Sequence, residues 1–233
     1  MEYIGIIGAM PEEVEQLIGQ MTDSEKKTMA GMDFYNGSLW GKKVVVVKSG
    51  IGKVNMAACT QILASIYGVD ALINTGVAGG LYGPINIGDI VISSDTLQHD
   101  MDATGFGYDP GVIPQMEQSV FHGDQNLIVK AKEACEEVNP EISVYVGRVL
   151  SGDQFISSDE KKNDLIQQFQ GYCAEMEGAA MAQVAYLNQI PFVVIRAISD
   201  KADHSATMNY NEFEEQAIDR KSTRLNSSHL CVS

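Results

Sequence analysis

The chain has 233 residues, 45% of them hydrophobic and 20% charged, which is enough for one well-buried domain and too apolar for a disordered chain. A formal net charge of −15 argues against a nucleic-acid or acidic-membrane surface, since either needs clustered Lys and Arg. No stretch approaches the ~20 apolar residues of a membrane span. The opening MEYIGIIGAM lacks the basic start of a signal peptide, and Cys59, Cys135, Cys173 and Cys231 form no C-x-x-C pair. A cytoplasmic protein with reduced thiols is the expectation.

In chain order, β-rich apolar runs fall at Tyr3–Gly8, Asp33–Leu39, Lys43–Lys48, Ala71–Thr75, Asp89–Ser93, Ser143–Leu150, Tyr172–Ala174 and Pro191–Ile198. Helical patterns cover Pro11–Gln20, Val54–Tyr67, Gln125–Asn139, Asp159–Phe169, Glu177–Leu187 and Asn209–Asp219. Such alternation, without repeats or low-complexity linkers, predicts a single α/β domain. Pro11 suits a first helical position, and FYNGSLWGKKVVVVKSG reads as a hairpin, so the sheet should be mixed. Thr96 to His122 is expected to be a long loop rich in Gly, Pro, Asp and aromatics, a length usually functional or packed on a partner. Beyond Arg220, KSTRLNSSHLCVS carries no helical apolar period. The domain is therefore expected over residues 1–220, with 221–233 a polar tail outside it, disordered or non-native.

Several stretches carry candidate chemistry. GIIGAMPEEV ends a strand with two glycines and begins a helix with Glu12 and Glu13. It lacks the G-x-G-x-x-G spacing of a dinucleotide turn, and the two acids would repel a pyrophosphate. They are equally explained as charges complementing a helix dipole. INTGVAGGL runs a strand into a Gly-rich loop where a backbone could approach a ligand. No Lys or Arg lies between Lys53 and Lys130, and the first arginine is Arg148, so a phosphate cradle there has no cation.

AEMEGAAMAQVA sets Glu175 and Glu177 on one side of an extended segment, with Met176 on the other, before a helix of small residues. Helix-start acidity accounts for Glu177, but two acids in such apolar company also need hydrogen-bond partners, which ligand hydroxyls could supply. In PFVVIRAISDKAD a buried-strand pattern is broken by Arg196 and closed by Ser199 and Asp200. Ligands of open α/β sheets sit at such strand ends, although Arg196 could be a buried ion pair and Asp200 a turn cap. His99, Asp100 and Asp102 are one histidine and two acids in a loop, more often solvated than metal-bound, and no metal is expected.

Together GIIGAMPEEV, KSGIGKVNMA, INTGVAGGL, GDIVIS, SGDQFI, EMEGAAMA and VVIRAISDKAD resemble, in order and spacing from about Met1 to about Asp219, the bacterial 5′-methylthioadenosine/S-adenosylhomocysteine nucleosidases of the nucleoside phosphorylase superfamily. The resemblance implies a single-domain three-layer α/β/α sandwich with a central mixed β-sheet, a homodimer, and hydrolysis of an N-glycosidic bond in methionine salvage without cofactor or metal. It assigns Asp200 as the acid that protonates adenine N7 and Glu13 as the residue that polarises the attacking water. Arg196 would lie beside that water and the sugar, and Glu177 would grip the ribose hydroxyls. Phe155 would stack on adenine and Ile156 offer backbone hydrogen bonds to it. Met10, Ile51, Met176 and Tyr210 would line the ribose and its 5′ substituent, with Gly79, Glu175 and Ser199 also at the substrate. Ala103, Phe106, Tyr108 and Pro114 would reach the neighbouring subunit's site.

Val77 stands where relatives often carry Ser, and Tyr210 where some carry Phe. A purine nucleoside phosphorylase would need arginines for phosphate, and Glu13 stands where one would be expected. A futalosine-type hydrolase would keep the same acids and differ in the 5′ pocket.

Overall fold

The computed structural model describes residues 3–206, so Tyr210, the helix expected at Asn209–Asp219 and residues 221–233 lie outside the described residues. The chain runs through β1 (Tyr3–Gly8), a 3-10 turn at Pro11–Glu13, α1 (Glu15–Gln20), β2 (Thr22–Met29), β3 (Met32–Leu39) and β4 (Lys42–Lys48). It continues with α2 (Lys53–Ile62), a π turn at Leu63–Tyr67, β5 (Ala71–Gly80), β6 (Ile90–Gln98), a 3-10 turn at Thr104–Phe106 and β7 (Phe121–His122). Then come α3 (Gln125–Val138), β8 (Val144–Ser151), α4 (Asp159–Phe169), β9 (Cys173–Glu175), α5 (Gly178–Asn188) and β10 (Phe192–Asp200).

The sheet is mixed. β1 lies between β4 and β5, parallel to both, and β5 continues parallel to β10. β10 also pairs antiparallel with β6, which leads through β8 and β9 back to β5. Five strands therefore close on themselves, while β1, β4, β3 and β2 extend as an open arm. The period of two along each strand divides the core. Ile4 and Ile6 join Val44, Val46, Ile73, Val193 and Ile195 against Leu17 of α1 and Leu127, Ile128 and Ala131 of α3. Their neighbours Ile7, Val45, Val47, Leu72 and Val194 face Met56 and Cys59 of α2 and Met181, Ala182 and Ala185 of α5. Helices thus cover both faces of the sheet, as the three-layer expectation requires.

The expected hairpin is β3–β4, turned at Trp40 and Gly41 with φ of 48° and 78°, a two-residue turn whose twist matches the strands. Other boundaries differ from expectation. TDSEKKTM forms β2, an exposed edge strand paired only with β3, and its two solvated faces leave no apolar alternation to read. The helix expected over Pro11–Gln20 is broken after Glu13, because that side chain folds back onto the chain. The Gly-rich stretch after Thr75 is strand, not loop: β5 continues to Gly80, paired with β10 on one side and β9 on the other. β6 likewise runs on to Gln98, so the long loop begins at His99.

Candidate active site

The C-terminal ends of the parallel strands β1, β5 and β10 meet beside the end of β9, and a cavity of about 270 Å³ opens there. That is near the lower limit of ligand pockets, which span about 300–1,000 Å³, and suits a nucleoside better than a dinucleotide. Its walls are Ala9, Met10, Glu13, Ile51, Val77, Ala78, Gly79, Gln154, Phe155, Ile156, Ala174, Glu175, Met176, Glu177, Ser199 and Asp200. None of these is Lys, Arg or His.

Glu13 enters from the single 3-10 turn that follows β1. Its Oε2 accepts from the backbone N–H groups of Ala9 (2.6 Å) and Met10 (3.0 Å), and Oε1 accepts from Val77 N–H at 3.3 Å. Burial lifts its carboxyl above the ordinary value, opposed by the Arg196 guanidinium and by those three N–H groups. A helix-dipole role does not cover this geometry: the turn is three residues long and the side chain is 6% exposed.

Asp200 ends β10 at an irregularity in its pairing with β5, which places it opposite Gly79. Its Oδ1 accepts from Ala202 N–H at 2.7 Å, and Ser199 Oγ lies 2.9 Å from Oδ2. Burial again raises the carboxyl, partly offset by these two donors. Gly79 is required by this approach, since a β-carbon there would lie 2.9 Å from both Asp200 Oδ1 and the Ala202 β-carbon. With 2% of it exposed, Asp200 has little water to stabilise its charged form, which is why its proton affinity rises.

Glu177 precedes α5 and reaches Gly52 N–H with Oε1 at 2.8 Å. Burial, then the charge of Glu175, pushes its carboxyl up to about 7, against the pull of Arg196 and the Gly52 N–H. Glu175 differs. Its carboxylate takes Ser151 Oγ, the N–H groups of Glu177 and Gly178, and Arg196 Nη2 at 2.5 Å. Arg196 is correspondingly committed, bonded also to the side-chain and backbone oxygens of Asn74 and to Ile195 O.

Most of the sequence-predicted residues are therefore assembled: Met10, Glu13, Ile51, Gly79, Phe155, Ile156, Glu175, Met176, Glu177, Ser199 and Asp200 share one wall. Phe155 and Ile51 stand half-exposed at the rim, whereas Ile156 is buried. Arg196 is the exception. At 1% exposed it lies beneath the cavity, not in its lining, because Glu175 and Asn74 hold its guanidinium. Phe106, Tyr108 and Pro114 lie away from this chain's own cavity; Phe106 is 88% exposed, while Ala103 is buried in its own chain and offers a neighbour almost nothing. His99 is not solvated as a loop residue would be: it is buried, and neither ring nitrogen has a protein partner among the described residues. Asp100 pairs with Lys53 at 2.6 Å. Among the described residues no group of three or more His, Cys, Asp or Glu is arranged to hold a metal ion, and no helix is long and apolar enough to cross a membrane.

Sequence reasoning did not single out Asn74, Ser151 or the Gly52 amide. Asn74 had a signal, an amide inside the apolar run of β5 just as Arg196 interrupts β10. Gly52 had none, because its bond to Glu177 joins positions 125 residues apart.

A family model described as Phosphorylase superfamily matches residues 3–227. A 5′-methylthioadenosine/S-adenosylhomocysteine nucleosidase of Shewanella loihica is 43% identical over 211 residues, covering 90% of this chain and 91% of that one. The crystal structure of the corresponding nucleosidase from Neisseria meningitidis, in complex with methylthio-immucillin-A, superposes with a TM-score of 0.92 at 36% identity, over 100% of this chain and 99% of that one. A futalosine hydrolase of Helicobacter pylori superposes with a TM-score of 0.89 at 33% identity, over 98% and 95% of the two chains. The fold, the cavity at its strand ends and these likenesses converge: the chain belongs to the phosphorylase superfamily and, within it, to the 5′-methylthioadenosine/S-adenosylhomocysteine nucleosidase family of N-glycosyl hydrolases.

Proposed function

We propose that the protein hydrolyses the N-glycosidic bond of 5′-methylthioadenosine and S-adenosylhomocysteine, releasing adenine and the 5-thioribose product. One observation carries the reading. Two buried carboxyls with raised proton affinity, Glu13 and Asp200, share a cavity whose walls, among the described residues, hold no cation to bind phosphate. Phosphorolysis requires such cations, so water is the nucleophile.

Cleavage from C1′ leaves a poor leaving group and a sugar with oxocarbenium character. Asp200, protonated in its buried setting, gives its proton to adenine N7 and so turns the base into a neutral leaving group. Glu13 accepts a proton from the attacking water. Glu177 binds the ribose hydroxyls, and its negative charge favours the developing cation. Phe155 at the rim stacks on adenine, Ile156 offers it backbone hydrogen bonds, and Met10, Ile51 and Met176 give the 5′ thioether an apolar berth. Arg196, from beneath, offsets the charge of three nearby acids. Water and side-chain carboxyls supply this chemistry without a cofactor. In the cell the reaction serves methionine salvage in the cytoplasm. The enzyme works as a homodimer, whose loop bearing Phe106, Tyr108 and Pro114 walls the partner's 5′ pocket.

The likeness to a futalosine hydrolase favours a second reading, in which the same acids act on a nucleoside with futalosine's larger 5′ substituent. Purine release from methylthioadenosine, S-adenosylhomocysteine and that nucleoside separates the two. We expect turnover of the thioadenosines; turnover of the futalosine-type nucleoside alone would replace the first reading with the second.

A further inference from the structure

Glu175 lines the cavity, yet its side chain is 2% exposed and both oxygens are spent on protein donors. Oε1 accepts from Ser151 Oγ and from Gly178 N–H at 3.0 Å. Oε2 accepts from Glu177 N–H at 3.0 Å, Gly178 N–H at 2.8 Å and Arg196 Nη2 at 2.5 Å. A carboxylate so saturated has no lone pair to give a sugar hydroxyl. Three acids, Glu175, Glu177 and Glu13, act on the one guanidinium of Arg196, and only Glu175 is bonded to it.

We propose that Glu175 is a positioning residue of the nucleosidase reaction: by locking Arg196 into a buried ion pair beneath the cavity, it withholds that cation from Glu13 and Glu177 and leaves both carboxyls free for water and sugar. The proposal rests on the nucleosidase reading above. A carboxylate clasped by a guanidinium is held in its ionised form and loses strength as a base. Arg196 would be drawn to whichever acid lay nearest if Glu175 lost its charge. The same side chain fixes where Glu177 stands, because it caps the first amides of α5. The groups bearing on Glu177 are Glu175, Arg196, the Gly52 N–H and Glu13; those bearing on Glu13 are Arg196, the N–H groups of Met10, Ala9 and Val77, and in return Glu177.

The test is the pH profile of kcat/KM for adenine release from methylthioadenosine, measured on wild type, Glu175→Gln and Glu175→Asp. Removing the charge of Glu175 releases Arg196 to stabilise Glu177 and Glu13 as carboxylates. The acid limb of Glu175→Gln should then move down by roughly one pH unit or more, with a lowered kcat. Glu175→Asp keeps the charge on a shorter arm, so its acid limb should stay at the wild-type pH while the rate falls. A Gln variant with the wild-type limb would reduce Glu175 to a helix cap and overturn the proposal. So would an Asp variant whose limb moves, which decides the matter alone if the Gln variant does not fold. Wild type that releases no adenine would instead overturn the nucleosidase reading, a separate outcome.

Discussion

Gly76 passes so close to Glu13 that a β-carbon on Gly76 would lie 2.7 Å from Glu13 Oε1. β5 thus forms a floor under the carboxylate, and the next residue, Val77, donates its N–H to the same oxygen at 3.3 Å. The glycine is needed here for close approach, and its backbone is already that of an extended strand. A methyl group must push Glu13 from its seat. Gly76→Ala is expected to lose on the order of 10²-fold in kcat, the usual cost of misplacing a catalytic group by about 1 Å. Glu13→Gln, which removes the proposed base outright, should cost ~10²–10⁴-fold. Steady-state kinetics with circular dichroism checks this, and a folded Gly76→Ala enzyme with wild-type turnover would show that the position of Glu13 is not critical.

Asp200→Asn should lose rate far more than binding. The amide still accepts from Ala202 N–H and can donate to N7, but it cannot transfer a proton, so kcat falls while the Michaelis constant changes little. A nucleoside whose leaving group needs no protonation should regain activity in the variant. Equal damage to that activated substrate would mark Asp200 as structural.

Much of this site was legible because polar residues interrupt otherwise apolar strands. Arg196 within Phe192–Ile198 and Asp200 at its end are costly in a core and marked where the site lies. The register of a single sheet then delivered Glu13, Gly79 and Asp200 to one cavity. What was not legible depends on contacts distant in sequence. TGVAGG looks like a loop by composition, since glycine packs poorly in strands. It is a strand because it pairs with β10 and β9, and its glycines are there because Glu13 and Asp200 leave no room for β-carbons at Gly76 and Gly79. Glu175 and Glu177 look equivalent in EMEG, and only their registers to Arg196 and Gly52 separate a buried counter-ion from a cavity acid. β2 was hidden for the opposite reason, because an edge strand solvated on both faces has no pattern to betray it.

Stability should carry the signature of Glu177. Its carboxyl rises from 4.5 to about 7 in the folded protein, so between those values the native state holds more protons than the unfolded chain. Its contribution is fully present below pH 4.5 and is lost as pH rises through about 7. Buried His99, whose proton affinity is lowered, opposes this trend on acidification, so the comparison must be made against a variant. Glu177→Gln retains an oxygen for the Gly52 N–H and no longer ionises. Relative to wild type it should gain thermal stability at pH 8 and match it near pH 5. Tm measured at both values decides, and a variant difference independent of pH would contradict the raised proton affinity.

Phe106 is a large apolar side chain almost wholly in solvent, with Tyr108 partly exposed nearby. In the homodimer we propose, both are covered, and burying one such ring contributes about 1.5–3 kcal/mol. Phe106→Ala removes two such rings per dimer and should weaken self-association by roughly 10²- to 10⁴-fold. It should also raise the Michaelis constant for methylthioadenosine more than for adenosine, which lacks the thioether. Wild type that sediments as a fully active monomer at micromolar concentration would refute the shared site, as would a variant that treats the two substrates alike.

In the proposed reaction, water activated by Glu13 attacks the sugar as Asp200 protonates the base, in a cavity with no Lys, Arg or His among its described lining residues. Product analysis of methylthioadenosine turnover with and without inorganic phosphate tests it most directly. Free methylthioribose and adenine, released at a rate indifferent to phosphate, are the expected result. Accumulation of a methylthioribose 1-phosphate, or a rate that rises with phosphate, would contradict it.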